Sequence, residues 1–342
     1  MTTDWSALLI HFHAYKIMNE IVNGQSPSRM EWIDSAKAIG MVLVYIGHCG
    51  IPGLNQYIYL FHMPLFFIIS GFLWNVEKNR DMEFKTFAQK KFKAYIIPYF
   101  KIAVICFTIY GLGLNLIRLG GLTEEYWTQL EKFVFGIVIY SRGTVEWLPQ
   151  CSPIWFLTCL FVAEIIYYFL LRLKFPVAGV IVAGLLGYIF SGWVKLPWNI
   201  DSALSAVVLL YIGTQARRFW HLLTDWRTIS LVSAIAIVTV LTNETQVDFD
   251  GNNYSNMLAM YVKSTIISTP LLTLIYKWGG WKWLATFGRE TIVLLGYNYI
   301  LNTLASEICH DNPYLMPFVV IPLGAMLALL ARKYGRVRKI IV

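Results

Sequence analysis

The sequence predicts an all-α integral membrane protein, a bundle of about ten transmembrane helices with both termini cytoplasmic. Three observations carry this. Hydrophobic residues make up 57% of the 342 residues and charged residues only 14%, with a mean hydropathy of +0.56; a soluble domain carries roughly 25% charged residues. Apolar runs recur from about residue 35 to 331 and leave no polar stretch long enough for a second domain. Lys and Arg, finally, concentrate in alternate loops. A water-soluble enzyme, a secreted disulfide scaffold and a disordered chain are excluded.

The spans fall at 35–50, 57–75, 94–117, 153–171, 175–191, 202–216, 229–242, 254–276, 289–308 and 313–331. Several are shorter than the ~20 residues of a typical span. They are continuously apolar, without the alternation of a barrel strand. With the chain entering the first helix from the cytoplasm, the inside segments 76–93, 172–174, 217–228, 277–289 and 332–342 carry 19 Lys and Arg. The outside segments 50–56, 118–152, 192–201, 243–253 and 309–312 carry 4. That bias sets the orientation. The net charge of +8 is thus a membrane signal, and no nucleic-acid partner is expected.

Three segments stand apart. The run 132-KFVFGIVIYS-141 is too short to span and is placed as a re-entrant or interfacial helix in the large outer loop. Residues 1–30 form an extension without a signal-peptide cleavage site. It is either an amphipathic helix over Trp5–Val22 on the membrane surface or dispensable, with translation starting at Met30; residues 31–342 form the transmembrane domain. No cysteine pair has CxxC spacing, so no metal site is expected. Cys49, Cys151 and Cys309 share the outer side, where unpaired thiols are favoured over one disulfide.

The informative residues are polar ones within the spans, because a charge at mid-bilayer costs ~3 kcal/mol even on the lenient insertion scale. In 31-EWIDSAKAIGMVLVYIGHCG-50, Asp34 and Lys37 share one helical face at the inner end. His48 lies eleven residues beyond Lys37 on that face, a rise of about 16 Å. A lysine snorkelling to the interface and a histidine bonded at the outer rim would explain each residue alone. The second run, 57-YIYLFHMPLFFIISGFLWN-75, is an antiparallel neighbour and places His62 near the depth of His48. Two imidazoles at one depth form a proton-handling site, since the unperturbed pKa is ~6.5. Pro64 is expected to kink this helix just past His62, and Ser70 and Gly71 to allow close packing.

Lys37-x10-His48 followed by FHMPLFFIISGFL at 61–73 resembles the start of the membrane-bound acyltransferase family 3, within it the fucose 4-O-acetylase-like group. Three further stretches agree in order. They are 90-KKFKAYIIPY-99, 153-PIWFLTCLFVAE-164 and 197-PWNIDSALSAVVLLYIGTQARR-218, so the likeness covers most of residues 30–300. It departs in 288-GRETIVLLGYNYILN-302, where family members commonly have a histidine and this chain offers Asn298. That residue is expected to bond a substrate or to fix a neighbouring helix.

The resemblance implies an acyltransferase of a multi-pass cell membrane protein, of bacterial type. It would move an acyl group, usually acetyl, from acyl-CoA to a hydroxyl of a cell-surface or lipid-linked glycan. Acyl-CoA would be the donor substrate, with no permanently bound cofactor. Lys37, Lys90, Lys91 and Lys93 would hold the donor, although the positive-inside bias alone accounts for any one of them. His48 would be the general base and His62 the oxyanion donor, protonated or in the correct tautomer. Asp34, Trp155, Asp201 and Asn298 are the candidate acceptor residues; for Asp201 a plain helix cap and for Trp155 an interface anchor are the alternatives. Glu164 is expected to form an internal ion pair with Lys101 or Lys263, and Arg289 and Glu290 are read as surface charges. A transporter or flippase for a sugar, amino acid or lipid-linked intermediate is the competing function. Transporters built from repeats show matching halves, and HMPLFFIISG has no counterpart in the second half.

Overall fold

A computed structural model describes residues 30–143, 148 and 151–342. The Trp5–Val22 segment lies outside the described residues. Each of the ten apolar runs forms helix: α1 Glu31–Gly47, α2 His62–Phe72, α3 Phe84–Arg118, α4 Ser152–Leu170, α5 Pro176–Phe190, α6 Ile200–Arg218, α7 Trp226–Leu241, α8 Met257–Lys277, α9 over 291–308 and α10 Met316–Lys333. Among the described residues the only strands are Val247–Asp248 and Asn253–Tyr254, paired as a short antiparallel hairpin. Helices α3, α4, α8 and α10 are long and apolar enough to cross a membrane. With the shorter apolar helices they make this an all-α, multi-pass membrane protein.

Three runs are interrupted where backbone chemistry demands it. The 57–75 run is two pieces, Asn55–Tyr59 and then α2 from His62. Pro64 falls in the first turn of α2, where its missing N–H leaves no bond unmade. The expected kink after His62 is therefore a break before it. Helix α3 contains two π turns, Phe92–Ile96 and Phe107–Leu114; Pro98 follows the first and lacks the N–H of a regular ladder. Helix α9 breaks at Tyr297 between Thr291–Gly296 and Asn298–Ile308. The 132–141 run continues the helix Glu124–Phe135 through a π turn, Gly136–Tyr140, and leaves Val134, Phe135, Val138 and Ile139 exposed.

Helix α6 is central, packed on α2, α4 and α5. Glycine makes the α2–α6 contact possible. A Cβ on Gly71 would collide with the Leu210 carbonyl, and one on Gly213 with the Ile68 carbonyl. Backbone approaching backbone is how helices gain packing energy where lipid removes the hydrophobic drive. Gly71 thus has the role its size suggests. Gly40 of α1 gives the Phe66 ring its place, with a Cβ there lying 2.8 Å from Cζ.

Contacts sort the loops into two sets. On one face Arg172 bonds the Asn79, Arg80 and Met82 carbonyls, Arg289 pairs with Glu31, and Arg338 pairs with Glu290. On the other, Trp198 bonds Val138, Gly192 bonds Asn252 and Asn243 bonds Gln56. These are the two groups of segments separated by the Lys/Arg bias. They are called the basic and the opposite face below.

Candidate functional site

At the basic face a cavity of about 560 Å³ opens between α1, α2, α3, α4, α6 and α9. Lys37, Lys78, Lys90, Lys91, Arg217 and Arg289 line its basic part, and Phe66, Ile69, Phe156, Leu157 and Leu160 its apolar wall. Phe66 lies one helical turn from His62, so the apolar wall leads along α2 toward the histidines. Lys37 of α1 and the neighbours Lys90 and Lys91 of α3 meet here. Lys93 is exposed on α3 and does not line the cavity.

The cations are not equivalent. Lys91 Nζ lies 2.6 Å from Glu164 Oε2 and over the rings of Trp74, Phe87 and Tyr95 at 5.3–5.6 Å. Tyr95 donates to Glu164 Oε1 at 3.2 Å. Glu164 does form an internal ion pair, but with Lys91. Lys101 instead donates to the Lys339 carbonyl, and Lys263 to Asn243 and Thr245. Lys37 lies 3.8 Å from Asp34, whose other oxygen lies 3.5 Å from Arg289. Asp34 is buried and joins α1 to the start of α9. Arg289 and Glu290 are therefore inter-helix ties, Glu290 being buried against Arg338 at 2.9 Å, and the surface reading is corrected. Among the described residues Lys78 and Lys90 form no ion pair.

The histidines lie toward the opposite face. His48 ends α1 and is exposed; His62 begins α2 and is buried. Tyr59 stands between them, its ring 6.2 Å from His48 and 5.1 Å from His62, and donates to the Gly47 carbonyl at 3.1 Å. The sequence brings the pair together, and the break before His62 adds something it did not show. His62 Nδ1 lies 2.9 Å from the Ile58 carbonyl. A carbonyl only accepts, so Nδ1 carries the hydrogen and a neutral ring presents a bare Nε2. The neutral-tautomer donor role expected for His62 is corrected: Nε2 donates only when the ring is cationic.

Above them sits a buried polar knot. Asp201 is fully buried and bound to Arg142, itself 1% exposed. Arg142 also donates to the Asp250 carbonyl at 2.7 Å and the Leu196 carbonyl at 3.2 Å. The exposed-cap alternative for Asp201 is overturned. Asp250 accepts from the Gly143 N–H at 3.0 Å, and burial raises its carboxyl to about 7 against the pull of that bond. Trp155 is buried and stacked on Phe249 of the hairpin, centroids 6.4 Å apart, rather than anchored at an interface. Asn298 is buried, its Nδ2 without a bond. Asn302, one turn on, accepts from Cys49 Sγ at 3.7 Å, so this asparagine pair belongs to the α1–α9 seam beside His48. All five cysteines are buried free thiols.

The structure thus splits the candidate acceptor residues: Asp34 at the basic face, Trp155 and Asp201 at the opposite one, Asn298 between. Tyr59, Lys78, Arg142, Arg217 and Asp250 were not singled out in the sequence. Arg142 had a signal, as one of few cations on a face the positive-inside rule leaves poor in them.

The site therefore has two parts, a cavity at the basic face with cationic and apolar lining and a histidine pair toward the opposite face, His62 lying one turn of α2 from the Phe66 of the cavity wall. The family model described as an acyltransferase domain, that of acyltransferase family 3, matches residues 30–333, and the chain belongs to that family. It is a membrane acyltransferase. No curated protein and no solved structure matches the chain.

Proposed function

We propose that this protein is an O-acyltransferase, of the fucose 4-O-acetylase-like kind, that carries an acyl group, acetyl in the simplest case, from acyl-CoA to a glycan hydroxyl. The basic face is cytoplasmic on this reading, and the enzyme sits in the cell membrane of a bacterium. The observation that carries it is the 560 Å³ cavity, cationic at its mouth and apolar along α2 toward His62. A polyanionic donor with a long thin arm has that profile. Lys90 and Lys78, with Lys37 deeper, meet the phosphates; the arm runs along Phe66 and Phe156.

The acceptor hydroxyl arrives from the opposite face, as part of a surface or lipid-linked glycan. Its oxygen attacks the thioester carbon while His48 takes its proton, and the carbon–sulfur bond then breaks. CoA leaves as the thiol once that proton is passed to sulfur. General-base help of this kind is worth ~10²–10⁴ in rate. His62, held by Ile58, offers Nε2 as a second proton acceptor, or stabilises the oxyanion once cationic.

Sidedness tests the reading. Acetyl-CoA does not cross membranes, so inverted vesicles, which expose the cytoplasmic face, should transfer label and sealed right-side-out vesicles should not. Equal transfer by both, with vesicles shown to be sealed, would reject a cytoplasmic donor site.

A further inference from the structure

A second cavity of about 620 Å³ opens beside the first. Trp74, Asn75 and Arg217 line both, so these three residues form the partition. The second cavity is enclosed by Phe72, Tyr167, Tyr211 and Thr214, with Arg218 and His221 at its edge. Both volumes fall in the ~300–1,000 Å³ range of small-molecule sites. Nothing in the acyl-transfer step described above uses this second space.

We infer that the second cavity holds the adenosine end of the acyl-CoA donor, with the donor's phosphates lying across Arg217; this rests on the donor reading above. The two cavities differ as the two ends of that donor differ. The first has an apolar wall of Phe66, Ile69, Phe156, Leu157 and Leu160, which suits a thin thioester arm. The second combines aromatic rings with guanidinium groups, which suits a flat base and its phosphates.

The rings decide where the base lies. Phe72 packs edge-to-face on Trp32 and on Trp220, Trp220 stacks on Trp32, and Trp74 packs on Phe87 and Tyr167. Tyr211 is half-buried and, among the described residues, meets no other aromatic ring. It packs against the core on one side and lines the second cavity beside Tyr167, which makes it the ring on which the base would stack. The charges decide where the phosphates lie. Arg217 donates to the Trp74 carbonyl at 3.4 Å, which holds its guanidinium at the partition. Lys78 and Lys90, which form no ion pair among the described residues, stand on the adjoining wall of the first cavity. Lys37, Lys91 and Arg289 each face a carboxylate, and Arg217 interacts with Glu77, which also lines the second cavity, so a phosphate there competes with one carboxylate for the guanidinium. Arginine presents a planar fork to phosphate oxygens, and stacking of a base on an aromatic ring is worth ~1–3 kcal/mol.

The test is equilibrium binding of radiolabelled CoA to purified full-length protein, with adenosine 3′,5′-bisphosphate and pantetheine as separate competitors. In wild type both halves should displace CoA. In Tyr211→Ala and in Arg217→Gln the Kd for CoA should rise roughly tenfold, as loss of one stacked ring or one charge-assisted bond implies. Adenosine 3′,5′-bisphosphate should then cease to compete while pantetheine keeps its potency, which also shows that each variant is folded. The inference fails if the bisphosphate never displaces CoA from wild type, or if both variants bind CoA within twofold of wild type. It fails equally if both competitors weaken together. Phosphatidylglycerol in nanodiscs tests a lipid phosphate as the occupant; if it displaces CoA where the nucleotide does not, the cavity belongs to lipid. Absence of CoA binding to folded wild type would remove the donor reading itself.

Discussion

The Nδ1 of His62 is held 2.9 Å from the carbonyl oxygen of Ile58, and that bond decides what the ring can do. It exists because the chain breaks at Leu60–Phe61 and restarts as helix at His62. With the hydrogen on Nδ1, the free nitrogen is a base until the ring is cationic.

His62→Asn tests this directly. The amide can still donate to Ile58, so the thermal midpoint should stay near wild type, while transfer falls by about 10²-fold or more. Assays of kcat and thermal unfolding on the same preparation separate the two. Unchanged kcat would leave His62 a purely structural role.

Lys90 and Lys91 are neighbours in sequence with opposite expected behaviour. Lys91→Ala abandons the buried carboxylate of Glu164 and should cost about 3 kcal/mol of stability. Replacing the pair together, Lys91→Met with Glu164→Leu, should recover most of that loss. Lys90→Ala should leave the thermal midpoint near wild type and raise the KM for acyl-CoA several-fold. If Lys90 changed stability and Lys91 changed only KM, the assignment of the two lysines would be reversed.

Asp250 supplies a pH dependence. Its carboxyl is raised in the folded protein to about 7, above the ~3.9 of an unfolded chain. Between those values the folded state binds more protons than the unfolded one, so this group's contribution is fully present below pH ~4 and is lost as pH rises through 7. The thermal midpoint of wild type relative to Asp250→Asn should therefore fall from pH 5 to pH 8. A constant difference would show that Asp250 does not titrate in this range.

Arg142 ties three segments of the opposite face through Asp201, Leu196 and Asp250. Arg142→Met leaves Asp201 buried and uncompensated and should destabilise the protein by about 3–5 kcal/mol. Arg142→Lys should restore less than half of it, since an ammonium cannot reproduce the planar fork. Full rescue by lysine would mean that charge alone matters there.

Much of this architecture was legible in the chain. The ten apolar runs became helices because span length and continuous hydropathy are local properties. The Lys/Arg bias anticipated which loops meet, and Gly71 packs as its size suggests. What stayed hidden depends on contacts distant in sequence. Glu164 had to pair with a cation, but that Lys91 rather than Lys101 reaches it depends on how α3 packs on α4, which hydropathy does not show. For Asp201 a helix cap stayed open as the alternative because its partner Arg142 lies 59 residues away. The bond from His62 to Ile58 needed the break before α2, which a continuous apolar run conceals.

The central claim is that a histidine at the end of α1 drives acyl transfer from acyl-CoA to a glycan. The direct measurement incubates purified protein with radiolabelled acetyl-CoA and source-membrane glycolipids, wild type beside His48→Ala, and counts label in extracted glycans. Label entering glycan with wild type and falling by at least 10²-fold with folded His48→Ala is the predicted result. Equal transfer by both proteins would contradict His48 as the base, and no transfer by folded wild type with these substrates would contradict the donor and acceptor together.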